Sequence, residues 1–412
     1  MNQEVNQPVK TKPRFFYGYV VVVVACIIRM TIFGSRGSFG VFFKPLIAEF
    51  GWTRALTSGA FSLATIVQGL SGIVMGGLND RLGPRIVMTL TGFLVGLGFL
   101  LLSQTSAAWQ LYLFYLVMGI GMGGSFAPPM STVARWFVKR RSMMTGIVIA
   151  GANIGGMIAP PAVNWLISAY GWRNSYIVMG SVVLVIVILG AQFLRRDPAK
   201  MGQVPYGGYE EGKQPLNSRT EGFSFKEATH TPQFWMVFAM VVCFGFSQVA
   251  CSVHIVPHAT DLGISAASAA SILATIAAAA LAGGIVLGSV ADRIGNRRTF
   301  VICFILMTAA LFWLLAAREL WMLYLFAAVL GFSGGGTATL ESTLTAELFG
   351  MRSHGLNLGV ISGGFTIGAA IGPLITGYIF DVSGSYQLAF LITAFVGIVA
   401  LILSATLRPV NN

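Results

Sequence analysis

The chain has 412 residues, of which 55% are hydrophobic and only 10% charged, with a formal net charge of +12. So little polar surface excludes a soluble globular protein of this length, and apolar runs that are continuous rather than alternating exclude a transmembrane β-barrel. The basic excess is spread over alternating loops rather than one patch, which argues against a nucleic-acid partner.

Residues 1–16 are a short polar, basic tail with no cleavable signal, and the first full-length span follows at once. Apolar runs of about 20 residues, the length of a membrane crossing, predict six spans near 17–43, 55–78, 85–103, 109–134, 142–168 and 173–194. Residues 195–231 hold Arg195, Arg196, Pro198, Gly207, Gly208, Glu210, Glu211 and Pro215, the composition of a polar linker. Within it, Phe223 to Thr231 is expected to form a short helix on the membrane surface. Six more spans are predicted near 232–257, 266–290, 299–316, 320–346, 354–379 and 385–407, with 408–412 as a tail. The expected fold is all-α: twelve transmembrane helices in two bundles, over 17–194 and 232–407. The four cysteines (Cys26, Cys243, Cys251, Cys303) all fall in apolar segments without metal-ligand spacing and read as buried small hydrophobes.

The two halves repeat each other. Gly76-Gly77-Leu78-Asn79-Asp80-Arg81-Leu82-Gly83-Pro84-Arg85 returns as Gly288-Ser289-Val290-Ala291-Asp292-Arg293-Ile294-Gly295-Asn296-Arg297, at an offset of 212. Gly119, Gly123, Gly124, Ala134 and Phe137 return at the same offset, and Gly146, Gly151, Ile154, Gly155 and Pro160 return at 213. A half-chain repeat in so apolar a protein marks a transporter built from two similar bundles around a central site. With the N-terminus inside, 20 Lys and Arg residues fall in inside segments and only Lys44, Arg54, Arg173 and Arg318 in outside loops. The positive-inside rule therefore places both termini in the cytoplasm, as expected for a multi-pass inner-membrane protein.

A charge within the hydrocarbon region costs several kcal/mol and is a functional hypothesis by default. Arg29 and Arg36 lie in span 1, seven residues and nearly two turns apart, so they share a helix face. Guanidinium groups bind carboxylates bidentately, best away from water. The pair reads as an anion site, with snorkelling or a structural ion pair as the alternative for Arg36. Glu341 is the one acid well inside a span. It stands between desolvation, which favours its neutral form, and a nearby arginine, which favours its charged form, and so is the proton-coupling candidate. It aligns in the repeat with Pro129. Gln248 aligns with Arg36 and is a second substrate candidate; Tyr115 is a third, with packing as its alternative.

His254 and His258, spaced i and i+4 at the end of span 7, are candidates for gating or pH sensing, or for helix-end structure. They lack the further ligands of a metal site. Asp80 sits at a helix junction where it can pair with Arg81, Arg85 and Arg135 and with a helix N-terminus; Asp292, Arg293, Arg297 and Glu347 are the equivalent set. Pro128-Pro129, Pro160-Pro161 and the Gly-rich stretches 119–124, 151–156 and 363–368 are expected to break or kink helices as hinges, tight packing being the alternative.

Twelve spans in two repeats, with a G-x-L-x-D-R-x-G-x-R loop after spans 2 and 8, resemble the major facilitator superfamily. Within it, Tyr17–Val21, Phe39–Leu46, Glu49–Arg54 and His254–Gly263 are similar to the monocarboxylate porter and oxalate–formate branch. The resemblance implies alternating access, a basic residue in the outer half of span 1, which Arg36 matches, and a loop latch that stabilises the outward-facing state. It also implies an arginine in span 8, eight residues before the loop aspartate, to hold the substrate carboxylate. Here that position is Gly284.

The expected function is secondary active transport of small organic anions, monocarboxylates first, by proton-coupled symport. An anion exchanger, a drug or metabolite efflux pump and a non-transporting membrane sensor are the alternatives. An enzyme is not expected, since no nucleophile–base pair, phosphate loop or metal cluster appears. The expected partners are the anion, protons and the lipid bilayer, with a monomer as the unit and no cofactor beyond the proton gradient.

Overall fold

The computed structural model describes residues 16–207 and 222–408. The N-terminal tail before Phe16, the linker's Gly208, Glu210, Glu211 and Pro215, and the tail after Arg408 lie outside the described residues. The first half contains α1 (Gly18–Gly37), α2 (Phe39–Phe50), α3 (Arg54–Leu82), α4 (Pro84–Leu102), α5 (Ala108–Met122), α6 (Ala127–Trp136) and α7 (Arg141–Phe193). The second contains α8 (Phe225–Thr229), α9 (Pro232–Asp261), α10 (Ala266–Ile294), α11 (Asn296–Ala316), α12 (Leu320–Phe349), α13 (His354–Ser383) and α14 (Gln387–Thr406). Each half has its own apolar core, built around Phe42, Tyr115, Trp136 and Tyr176 in one and Phe234, Phe304, Phe326 and Phe390 in the other.

Among the described residues, eleven helical stretches are long and apolar enough to cross a membrane, one fewer than the twelve expected. The difference lies in α7, whose 53 residues include two predicted spans. A straight helix of that length would run about 80 Å, against about 30 Å of hydrocarbon. Gly171 interrupts it at φ 78°, ψ 163°, a conformation that glycine reaches without a Cβ penalty. The chain turns back there. Gly151 before the break lies against Cys26 of α1, and Gly190 after it lies against Ile28. α7 is thus two antiparallel spans that meet at Gly171.

The expected helix breaks are found only in part. Span 4 is broken just before Pro128-Pro129, where a 3-10 turn at Gly123–Ser125 separates α5 from α6. No such break occurs at Pro160-Pro161 or at 363–368, where α7 and α13 run on. Span 1 also ends early, at Gly37, and α2 continues it after Ser38. The short linker helix forms as α8. Ser224 caps it by accepting from the Glu227 N–H, while Glu227 accepts from the Ser224 N–H at 2.7 Å.

The halves meet chiefly at two crossings, α3 with α13 and α7 with α10. A Cβ on Gly355 would sit 2.6 Å from the Gly76 carbonyl. At the other crossing a Cβ on Gly146 would collide with the carbonyl of Gly284. Small residues let helix backbones approach this closely. Gly284, where the resemblance calls for arginine, is therefore a helix-crossing point, with Thr339 Oγ1 3.1 Å from where its Cβ would be.

Candidate functional site

The central site begins with two prolines. Pro129 has no N–H, so the carbonyl four residues earlier, that of Ser125, loses its helical partner. Arg29, only 3% exposed, fills that role: its Nη1 donates to the Ser125 carbonyl at 3.0 Å. The guanidinium also lies over two rings, 4.2 Å from the centroid of Phe33 and 5.1 Å from that of Phe126. Its Nε has no hydrogen-bond partner among the described residues. One donor is thus fixed, and another faces the interior unpaired.

Glu341, on α12 of the other half, is 4% exposed, and its Oε1 accepts from Ser362 Oγ of α13 at 2.5 Å. Arg29 and Glu341 lie within electrostatic reach of each other across the seam. The repeat is informative here. Pro129 frees an acceptor carbonyl on one side, and the equivalent Glu341 supplies an acceptor carboxylate on the other.

Arg36 is partly exposed. Its Nη2 donates to Thr65 Oγ1 at 3.3 Å and its guanidinium lies 5.5 Å from the Phe61 ring centroid. It borders a narrow cleft lined mainly by aromatic rings, Phe39, Phe61, Tyr115 and Tyr176 among them. Tyr115 is buried there, with its ring edge-on to Phe39 at 5.7 Å, inside the first half. Gln248 packs against Gly334 of α12, and its Oε1 is unpaired among the described residues. Glu341 and Ser362 are therefore brought together with Arg29 within electrostatic reach, Arg36 and Tyr115 line a common cleft, and Gln248 stands in the second half.

The loop residues form two related clusters. Asp80 accepts from the Gly355 and Leu356 N–H groups at the N-terminus of α13. Asp292 accepts from Ser142 and Met143 at the N-terminus of α7, at 3.0 and 2.9 Å. Each aspartate caps a helix of the opposite half, where unpaired amides and the helix dipole favour a negative charge. Arg135 stands 3.9 Å from Asp80, and its Nη2 donates to the Met351 carbonyl at 2.8 Å.

The other predicted arginines are elsewhere. Arg85 donates to Gln192 at the end of α7 and Arg297 to the Ala405 carbonyl at the end of α14, so both bind within their own half. Arg81 and Arg293 are exposed and hold no hydrogen bond or ion pair with a described residue. Glu347 accepts from Asn296 Nδ2 at 2.6 Å.

Several contributors carry no pattern that sequence reasoning detects. Asn296 also accepts from Ser142 Oγ at 2.7 Å, linking the halves. Asp197 lies 3.8 Å from Arg135. His354, fully buried at the start of α13, is within 3.2 Å of Ser342 Oγ. Each is a polar residue at a helix end, and the groups that donate to Asp80 and Asp292 are backbone amides, which leave no side-chain signal at all.

His254 and His258 tie together α9, α13 and α14. His254 Nε2 is 3.1 Å from the Pro373 carbonyl, and the His258 ring meets Phe390 edge-on at 5.1 Å. These contacts stay within the second half. On the first half, at the end of the bundle away from the Asp-Arg loops, Glu49 accepts from Trp172 Nε1 and from Arg173, each at 2.6 Å. The Trp172 bond, aided by Arg173, holds the Glu49 carboxyl below the usual carboxylate range.

Comparison with known proteins agrees with this architecture. The family model described as Major Facilitator Superfamily matches residues 25–280 and 250–412. Monocarboxylate transporter 13 of Rattus norvegicus is 27% identical over 91% of this chain and 85% of its own. The oxalate:formate antiporter of Oxalobacter formigenes is 25% identical over 96% of this chain and 92% of its own. Among solved structures, the fucose:proton symporter FucP of E. coli superposes with a TM-score of 0.74 at 15% identity, covering 96% of this chain and all of that one.

Proposed function

The chain belongs to the Major Facilitator Superfamily, and on that footing we propose that it carries small organic anions, monocarboxylates first, by proton-coupled symport. It is a membrane-spanning transporter related to the monocarboxylate transporters and the oxalate:formate antiporter. The observation that carries the proposal is Arg29: a buried guanidinium with one donor fixed by a carbonyl, another donor unpaired among the described residues, and an acid of the other half within electrostatic reach.

In this reading, a substrate carboxylate and Glu341 compete for the same positive charge. Protonating Glu341 removes its claim on Arg29 and leaves the guanidinium to the anion. Substrate and proton then bind together, and the pair crosses with its charges balanced, which avoids the cost of moving an anion alone towards a negative interior. Arg36, partly exposed, receives the anion on its way in. Gln248 supplies a polar contact from the second half.

The halves rock about this site. The membrane is the inner membrane, with both termini and the Asp-Arg loops facing the cytoplasm. Cross-half contacts at the loops then make this the outward-facing form, and the monomer is the transporting unit. Exchange of one anion for another is the second reading, favoured by the likeness to the oxalate:formate antiporter.

A thermal-shift screen against small mono- and dicarboxylates, at about pH 5.5 and about pH 7.5, tests the reading, because ligands that bind the folded state raise apparent stability. A selective shift by a monocarboxylate, larger at the lower pH, is expected. No shift with any carboxylate contradicts the anion assignment.

A further inference from the structure

The linker between the halves is bound at both of its described ends, and at equivalent places. On the first half, the Tyr206 N–H donates to the Trp136 carbonyl at 2.8 Å, and the Tyr206 carbonyl accepts from Val138 and Lys139, each at 3.0 Å. Phe137 and Tyr206 pair as a parallel β-bridge. The Tyr206 ring packs near Phe16 and Phe137, with centroids 5.8 and 5.9 Å away. Gln203 adds a fourth tie by accepting from the Tyr17 N–H at 3.0 Å.

On the second half, Gly222 pairs with Gly350 as an antiparallel bridge, and the Phe223 N–H donates to the Phe349 carbonyl at 2.9 Å. Gly222 has φ 129°, and a Cβ there would stand 2.6 Å from the Phe349 carbonyl, so the bridge needs glycine. Glu227 approaches Arg352 at 3.7 Å beyond it. Phe137 and Phe349 are equivalent in the repeat, at the same offset of 212 as Asp80 and Asp292.

The bound loops are the ones that lead into the latch. Residues 136–140 run directly into Ser142 and Met143, whose amides hold Asp292. Residues 349–353 run directly into Gly355 and Leu356, whose amides hold Asp80. Between bridge and helix the first loop contains Arg140 at φ 60°, a left-handed conformation that a non-glycine residue adopts at a cost and keeps only where its surroundings enforce it. The second loop contains Met351, whose carbonyl takes the Arg135 bond across the seam.

We infer that the linker is part of the gate: its docked ends, at Tyr206 and at Gly222–Phe223, position the two loops so that the N-termini of α7 and α13 meet Asp292 and Asp80. Tyr206, Gly222 and Phe223 are positioning residues in this scheme. They touch neither aspartate, and they act through the loops. The linker then does more than join the halves, because undocking either end loosens the latch on that side and shifts the two-state equilibrium towards opening.

The experiment is a spin-label distance measurement on the full chain. Labels go on Leu82→Cys and Ile294→Cys, exposed equivalent positions at the ends of α3 and α10, with the four native cysteines replaced by alanine. Tyr206→Pro removes the donor to Trp136, and Gly222→Val removes the second bridge. Each variant is expected to raise the ratio of open to closed distances about tenfold, from the loss of one or two backbone hydrogen bonds and their loop geometry. Tyr206→Phe, which keeps the backbone bonds and the ring, is expected to match the unaltered protein. An Asp80→Asn, Asp292→Asn double variant marks the fully loosened latch. Wild-type distance distributions in both Tyr206→Pro and Gly222→Val, alongside a shifted double variant, overturn the inference. So does Tyr206→Phe shifting as far as Tyr206→Pro.

Discussion

Asp80 and Gly355 are 275 residues apart in the chain and are joined by a hydrogen bond of 3.0 Å, from the amide of one half to the carboxylate of the other. Asp292 and Ser142 make the equivalent bond in the opposite direction, also at 3.0 Å. The repeat thus closes one end of the bundle twice, by the same device. Replacing either aspartate by asparagine keeps its shape and removes its charge. Each replacement is expected to weaken closure by about 1–2 kcal/mol, the worth of a charge-assisted bond at a helix N-terminus. The rate of alkylation of a Ser142→Cys probe, which keeps its backbone amide, should rise with either change. An unchanged rate in both would remove the latch from the account.

The two arginines of α1 are expected to fail differently. Arg29 satisfies the Ser125 carbonyl and neighbours a buried acid, so Arg29→Gln leaves charged and polar groups unpaired. Uptake should be lost, and stability should fall by roughly 1–3 kcal/mol. Arg36 is partly exposed, and among the described residues its one side-chain hydrogen bond is to Thr65, at 3.3 Å. Arg36→Gln should abolish anion uptake with the melting temperature nearly unchanged. Unchanged substrate affinity in Arg36→Gln would contradict its assignment.

Glu341→Gln tests coupling. Glutamine still accepts from Ser362 but cannot exchange a proton. Uptake driven by a pH gradient should disappear, while exchange of labelled for unlabelled anion across equal pH is partly kept. Full pH dependence of uptake in the variant would exclude Glu341 as the coupling group.

Glu49 offers a check on electrostatics far from the site. Trp172 and Arg173 depress its carboxyl in the folded state, so the stabilisation is present above the unfolded value and fades as pH falls through the folded one. Glu49→Gln should cost about 0.5–1 kcal/mol at neutral pH, a figure already reduced for solvent screening. The difference from the unaltered protein should close below about pH 4. A pH-independent difference would mean that packing, not charge, carries the contact.

Much of the fold was legible because its signals are repetitive. Continuous apolar runs located the spans, and the two Asp-Arg loops gave the pseudo-symmetry. What was not legible depends on single atoms. Pro128-Pro129 announced a break, but not that Arg29 would take the carbonyl freed by Pro129. Pro160-Pro161 carried the same sequence signal, yet α7 runs on through it, so proline alone did not decide. Asp80 and Asp292 stand out in the repeat as charged helix-end residues, while their partners are the backbone amides of Gly355, Leu356, Ser142 and Met143, which carry no side-chain signature. Arg81 and Arg85 looked like latch partners from their spacing. Helix ends instead direct Arg81 outwards and Arg85 to Gln192. The crossing at Gly146 and Gly284 explains what stands in place of the absent arginine, and only the packing shows it.

In the proposed mechanism a buried arginine and a buried acid on opposite halves bind an anion and a proton together. This mechanism is tested most directly by uptake of labelled small monocarboxylates into proteoliposomes holding the purified protein, with an imposed pH gradient, acid outside. Accumulation is expected to follow the gradient, to collapse with a protonophore and to be absent in both Arg29→Gln and Glu341→Gln. Accumulation that ignores the gradient, or that persists in Glu341→Gln with its pH dependence intact, would contradict it.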